Sequence, residues 1–154
     1  MTHLSNRINQ LSESQTIAMA RRSRELIAQG VDIISLSLGE PDFKTPDEIK
    51  QAAHSAIDED FSYYTHVSGY LELRQAIAEK FKRDNGITYT ADQIVVSTGA
   101  KQSIANAVLS LINPGDEVIV PTPYWVSYLE IIKLAEGVPV TIDAGIENNF
   151  KVTP

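Results

Sequence analysis

The sequence contains no cysteine. A disulfide framework, a thiolate zinc site and a cysteine nucleophile are therefore excluded, and a reducing, cytoplasmic setting is expected. No stretch approaches the roughly 18 apolar residues that a membrane-spanning helix needs. The opening M-T-H-L-S-N-R has no apolar stretch either, so no secretory signal is expected. Positive charge is in short supply: 13 Lys and Arg face 20 Asp and Glu, for a net charge of −7. That balance argues against a generic nucleic-acid surface, so neither nucleic acid nor membrane is an expected partner. What is present is ordinary for a globular protein: 154 residues, 43% hydrophobic and 21% charged. A chain of that length can bury a real core.

Helical and strand patterns alternate between closely spaced turn signals. A first helix is expected from about Thr16 to Gln29, capped by Ser14 and stopped by Gly30, with Ile17, Ala20, Leu26 and Ile27 as its buried stripe. Arg21, Arg22 and Arg24 fall largely on its wet side. Residues 32–37 read as a short strand ended by G-E-P-D-F. Thr45-Pro46-Asp47-Glu48 reads as a capping box with proline at the first helical position, opening a helix to about Asp58. A loop at 61–69 precedes a helix from about Tyr70 to Asp84, with Leu73, Ile77 and Phe81 along one face and Asn85-Gly86 as its stop. Then come a strand at 94–97, a helix to about Ile112, a strand at 117–120 broken by Pro121-Thr122-Pro123, a helix from about Tyr124 to Ala135, and a strand at 138–142. Apolar strands alternating with helices predict an α/β fold whose sheet is covered on both faces.

The segment I-V-V-S-T-G-A-K-Q-S, residues 94–103, is the most informative. A glycine before a helix lets backbone approach a ligand, and the first helical N–H groups with the helix dipole favour an anion. Gly99, Ala100 and Lys101 can thus hold a phosphate; the segment also reads as a tight turn with an exposed lysine. It matches neither a Walker loop nor G-x-G-x-x-G. Trp125, the only tryptophan, follows a strand end, where ligands gather in α/β sheets. It can stack on a planar ring or seal a helix against the sheet. Tyr63 and Tyr64 lie in a hydrogen-bonding loop, where a hydroxyl can reach a phosphate or a neighbouring subunit, or simply face water. Gly39 can offer its N–H to a carboxylate or form a β-turn. His3, His54 and His66 are scattered without metal-ligand spacing.

Order and spacing change the weight of these signals. S-L-G-E-P-D-F-K-T-P at 37–46, Y-T-H-V-S-G-Y-L-E-L-R at 64–74, V-S-T-G-A-K-Q at 96–102 and N-P-G-D-E-V-I-V-P-T-P-Y-W-V-S-Y at 113–128 occur in that order. The series closely resembles the N-terminal part of class I aminotransferases, fold type I enzymes that use pyridoxal 5′-phosphate. The branch of bacterial aspartate aminotransferases that includes prephenate-acting members is the nearest. The resemblance implies a three-layer αβα large domain beginning at 39–154, with 1–38 forming an N-terminal arm and a small-domain segment.

It also implies roles. Gly39 matches the glycine whose backbone contacts the substrate α-carboxylate, and Tyr64 the tyrosine that reaches the cofactor phosphate of the neighbouring subunit in a homodimer. Gly99, Ala100 and Lys101 match the phosphate-binding turn. Trp125 matches the aromatic residue stacked on the cofactor ring, beside the substrate. Lys101 also suits a distal substrate carboxylate, which points to an aspartate- or glutamate-type donor and a 2-oxo acid acceptor. The family's reaction needs a Schiff-base lysine, an acid for the ring nitrogen and an arginine for the α-carboxylate. All three are expected beyond Pro154, since none of Lys44, Lys50, Lys80, Lys82, Lys101, Lys133 and Lys151 stands in the matching motif. The expectation is the front part of an aminotransferase, inactive alone. A C–S lyase or synthase of the same fold type, or a non-catalytic aminotransferase-like binding module, is the alternative.

Overall fold

The computed structural model describes residues 3–153, so Met1, Thr2 and Pro154, the ends of the two expected domain spans, lie outside it. The described chain divides into two compact units. One combines residues up to Gly39 with those from Gly99 onward, and the other is Glu40–Thr98.

The first unit opens with helices α1 (Asn6–Asn9) and α2 (Gln15–Ala28). The Ser14 side chain accepts from the Ile17 N–H, and Gly30 closes α2 with a positive φ of 81°. The sequence thus placed both ends correctly. Its expected stripe was only half right: Ala20 is buried and Leu26 half-buried, whereas Ile17 and Ile27 are exposed. Residues 32–37 form no strand, and Ile34 and Leu36 are exposed. An apolar run becomes a strand only where a neighbour takes its N–H and C=O groups, and no described segment pairs with this one.

The core of this unit is built on helix α5 (Ala100–Leu111), strand β1 (Glu117–Thr122), helix α6 (Ser127–Leu134) and strand β2 (Val138–Asp143). β1 and β2 pair in parallel, from Glu117 opposite Val138 to Thr122 opposite Asp143, with α6 as the crossover. Val120, Ile131, Ile132, Ala135 and Ala144 are buried here, in addition to Ala20 of α2. β1 runs through Pro121, where a break was expected. A proline without N–H is tolerated at a strand position that donates nothing to the ladder. On β1, Val120 is buried while its neighbour Ile119 is exposed. α6 begins at Ser127 rather than Tyr124.

The second unit holds helices α3 (Asp47–Asp58) and α4 (Leu71–Asn85). Pro46, not Thr45, occupies the cap of α3, and no side chain caps it, so the expected capping box is not formed. Acidic Asp47 and Glu48 in the first turn complement the helix dipole instead. Gly86, left-handed at φ 68°, ends α4 as expected. On α4 the most buried residue is Arg74, while Leu73 of the expected apolar face is exposed. Residues 94–97 form no strand; Ile94 is buried and Val96 N–H donates to Ser68 O at 3.0 Å.

Candidate active site

The turn before α5 is set by Gly99, at φ 89° and ψ 160°, a conformation that side-chain-bearing residues rarely adopt. A β-carbon there would meet nothing within 4 Å, so the space beside the turn is open. Gly99, at the cap position of the 12-residue α5, has no side chain to cover the first N–H groups of the helix, a local arrangement that suits an anion.

Lys101, in the first turn of α5, folds its ammonium over the Trp125 ring, with Nζ 4.4 Å from the centroid. At a half-exposed ring such a contact contributes about 0.5–1 kcal/mol. Tyr128, one turn on, packs edge-on against the same indole at 5.7 Å between centroids. The C-terminal end of β1 delivers Trp125, as expected for a ligand-facing position in an α/β unit. The structure therefore brings together Gly99, Ala100, Lys101 and Trp125. Gly39 belongs to the same unit, in irregular chain with open space beside its α-carbon.

Of these residues Lys101 lines a cavity of about 430 Å³, together with Tyr124, Leu134, Leu11, Ser14 and Gln15. On α6, Glu130 accepts from the Ser12 N–H at 2.8 Å and from Lys133 Nζ at 2.8 Å. Burial raises the pKa of the Glu130 carboxyl, but the hydrogen bonds from Lys133 and Ser12 outweigh it and leave the group below its ordinary value.

Tyr64 belongs to the other unit and is fully exposed. Its loop is held locally: His66 Nδ1 accepts from Ser68 N–H at 3.2 Å, so this histidine shapes a turn. Two residues that sequence reasoning left without a role prove structurally central. Arg74 is only 7% exposed and donates to Gly69 O and Ala91 O. Glu130 ties two distant segments. The signal for Arg74 was a cation three residues before Ile77 of the expected apolar face; for Glu130 it was an acid three residues before Lys133 on a helix otherwise nearly all apolar.

Among known proteins, the profile of the family "Aminotransferase class I and II" matches residues 31–154. An aspartate/prephenate aminotransferase of Cereibacter sphaeroides is 53% identical over the whole chain, which covers 38% of its length. One from Nitrosomonas europaea is 51% identical over 98% of the chain, again with 38% of its length covered. Of solved structures, the aspartate aminotransferase of Rhizobium meliloti superposes on 99% of the chain with a TM-score of 0.94 at 42% identity, and 38% of it is covered. That of Thermus thermophilus with maleate gives 0.93 at 42% identity over 99% of the chain and 40% of its own. The chain thus spans about 38% of the curated relatives it matches and corresponds to their N-terminal portion. The α/β arrangement and these likenesses converge: this chain belongs to the class I and II aminotransferase family.

Proposed function

We propose that this chain carries the front part of the cofactor and substrate pocket of a pyridoxal 5′-phosphate-dependent aminotransferase acting on a dicarboxylic amino acid and a 2-oxo acid. The observation that carries the reading is the positive-φ glycine at the start of α5, Gly99, with Lys101 in the first turn over the Trp125 ring. These residues fit the cofactor. Backbone N–H groups of Gly99, Ala100 and Lys101 bind the phosphate dianion at the helix terminus. The exposed face of Trp125 lies against the pyridine ring and keeps water off it. When bound, the cofactor supplies an electron sink for the charge left as an α-proton departs from an amino acid.

Lys101 supplies the cation for a distal substrate carboxylate. The Thermus relative with maleate, a dicarboxylate, supports that substrate class. Gly39 offers its N–H to the α-carboxylate, and Tyr64, pointing outward, reaches the phosphate of a second subunit in a homodimer. In the intact subunit, 1–38 serves as arm and small-domain segment, and 39–154 opens the large domain. The lysine that takes the α-proton is none of the seven in this chain.

Fluorescence of the single tryptophan tests the reading directly. Titration of the chain with pyridoxal 5′-phosphate quenches Trp125 saturably, and pyridoxal without its phosphate does so far more weakly. Equal quenching by the two would remove the phosphate turn from the reading. Incubated with cofactor, aspartate and 2-oxoglutarate, the 154-residue chain releases no oxaloacetate; measured turnover would overturn that part.

A further inference from the structure

Lys101 stands in the first turn of α5, where the helix dipole gives a cation no support. Among the described residues it makes no ion pair; its ammonium rests on the Trp125 ring, 4.4 Å from the centroid. Lys80 makes the other lysine–ring contact, 5.8 Å from Phe81, but it also pairs with Asp84 at 3.8 Å. Lys50 and Lys133 are likewise paired with acids, each at 2.8 Å. Lys101 thus depends on the indole as those lysines do on carboxylates. Tyr128 packs edge-on against the same indole, at 5.7 Å and 89°, and Trp125 remains 43% exposed. A second ring stacked on an indole has its centroid about 4.5–7 Å away. An ammonium at 4.4 Å fills that space on its side of the indole. Lys101 also lines the cavity of about 430 Å³, and Trp125 is not among the lining residues. One side chain therefore borders two places, and its ammonium serves only one at a time.

We propose that Lys101 is a built-in occupant of the Trp125 face, that a planar ring displaces it, and that the ring and a dicarboxylate therefore bind cooperatively. This rests on the readings of Trp125 as the stacking face for the cofactor and of Lys101 as the cation for a distal carboxylate. In the free chain the ammonium covers the indole and is withheld from a carboxylate. At a half-exposed ring such a contact favours the covered arrangement about two- to fivefold. Only the uncovered fraction can pair with a carboxylate, so affinity for a dicarboxylate is lowered about three- to sixfold. A ring on the indole holds Lys101 off and restores that factor. Linkage makes the effect mutual: a carboxylate that draws Lys101 away opens the indole to the ring by the same factor.

The test uses the full chain and pyridoxine 5′-phosphate, which has the ring and phosphate of the cofactor but no aldehyde with which a lysine could condense. Proton NMR of the Lys101 ε-methylene, assigned by its absence from K101M, reports the contact, because the indole ring current shifts protons above it upfield. In the free chain this signal lies upfield of the other lysine ε-methylenes. Pyridoxine phosphate returns it to their position. Inorganic phosphate, which fills the turn at Gly99 without covering the indole, leaves it in place. Calorimetry then gives a maleate affinity about three- to sixfold tighter with pyridoxine phosphate bound than with inorganic phosphate, an anion of similar charge. The Val138 amide, which donates to Asp116 O at 2.8 Å, is the control for an intact fold in K101M. If that amide loses its protection, K101R, which also lacks the signal, provides the assignment. A free-chain signal at the ordinary position would overturn the proposal, as would equal maleate affinities. Quenching of Trp125 by pyridoxine phosphate with an unmoved Lys101 signal overturns the displacement alone. No quenching overturns the stacking reading and the displacement with it. If maleate binds in neither state, the carboxylate reading of Lys101 and the cooperativity fall, while the NMR signal still decides the displacement.

Discussion

Arg74 donates from Nη1 to Ala91 O at 2.9 Å and from Nε to Gly69 O at 3.1 Å, so one buried guanidinium joins the start of α4 to the chain 17 residues on. Both bonds run to backbone carbonyls, and one of them ends the loop that carries Tyr64. Truncation would take the arginine donor from both carbonyls, of which Ala91 O keeps the Ile94 N–H at 3.2 Å. Arg74→Ala is expected to destabilise the chain by roughly 2–4 kcal/mol in urea unfolding, and Arg74→Lys by less. Asp92 lies 3.8 Å from the same guanidinium but is 94% exposed. An exposed partner at that distance contributes little, so Asp92→Asn leaves the unfolding midpoint unchanged. A large effect of Asp92→Asn would mean that the arginine acts through its charge rather than its hydrogen bonds.

Two glycines separate steric from conformational cost. At Gly69, φ is 97° and an added β-carbon would lie 2.9 Å from both Cβ and Cγ2 of Val96. At Gly99, φ is 89° and nothing lies within 4 Å. Gly69→Ala therefore meets strain and overlap, roughly 2–4 kcal/mol together, while Gly99→Ala meets strain alone, about 1–2 kcal/mol. Adding Val96→Ala to Gly69→Ala removes the Cγ2 overlap but keeps Cβ at 2.9 Å, so it recovers only part of the overlap and none of the strain. Thermal or urea midpoints of the four proteins check this. In the cofactor titration the order reverses, because Gly99 forms the proposed phosphate turn and Gly69 does not.

Which of these features the sequence revealed follows from how local each one is. The cap at Ser14 and the stops at Gly30 and Gly86 depend on residues within one helical turn, and they were legible. The stretch 32–37 was not, because a strand is a relation between two segments and only 117–122 and 138–143 pair among those described. The capping box at Thr45 failed for a smaller reason: Pro46 itself takes the cap position, and the helix starts one residue later than expected. At the site, Gly99 and Trp125 could be singled out because glycine before a helix and an aromatic after a strand carry local meaning. The contact of Lys101 with Trp125 joins two elements and had no such mark. Neither did Ser12 with Glu130, the longest-range side-chain hydrogen bond described above.

The carboxyl of Glu130, which accepts from the Ser12 N–H and from Lys133, gives stability a pH dependence whose sign is fixed. Its folded pKa lies below the ordinary value of 4.5, with burial opposing and the hydrogen bonds from Lys133 and Ser12 prevailing. The unfolded chain therefore binds the proton more readily. The stabilisation is present above the unfolded value and is lost as pH falls through the lower folded one. The difference in urea midpoint between wild type and E130Q is expected to be constant near neutrality and to close in that acidic window. A difference that instead closes above pH 6 would assign the effect to another group.

Lys101 makes two demands that substitutions can pull apart. Its contact with Trp125 needs a cation over the ring, and its proposed partner, a distal carboxylate, needs a cation in the cavity. Lys101→Met keeps most of the stem, and so the packing against the indole, but loses the charge. Its expected cost in stability is under about 1 kcal/mol, the whole of the cation–ring contribution. Maleate affinity is expected to fall about tenfold or more, since a charge-assisted hydrogen bond contributes roughly 1.5–3 kcal/mol. Lys101→Arg keeps the charge and the ring contact and holds affinity within about threefold, because a guanidinium also pairs with carboxylates. For a monocarboxylic probe such as propionate, Lys101→Met should change nothing. Equal losses for maleate and propionate would place the lysine on the phosphate or the α-carboxylate and remove it from substrate choice.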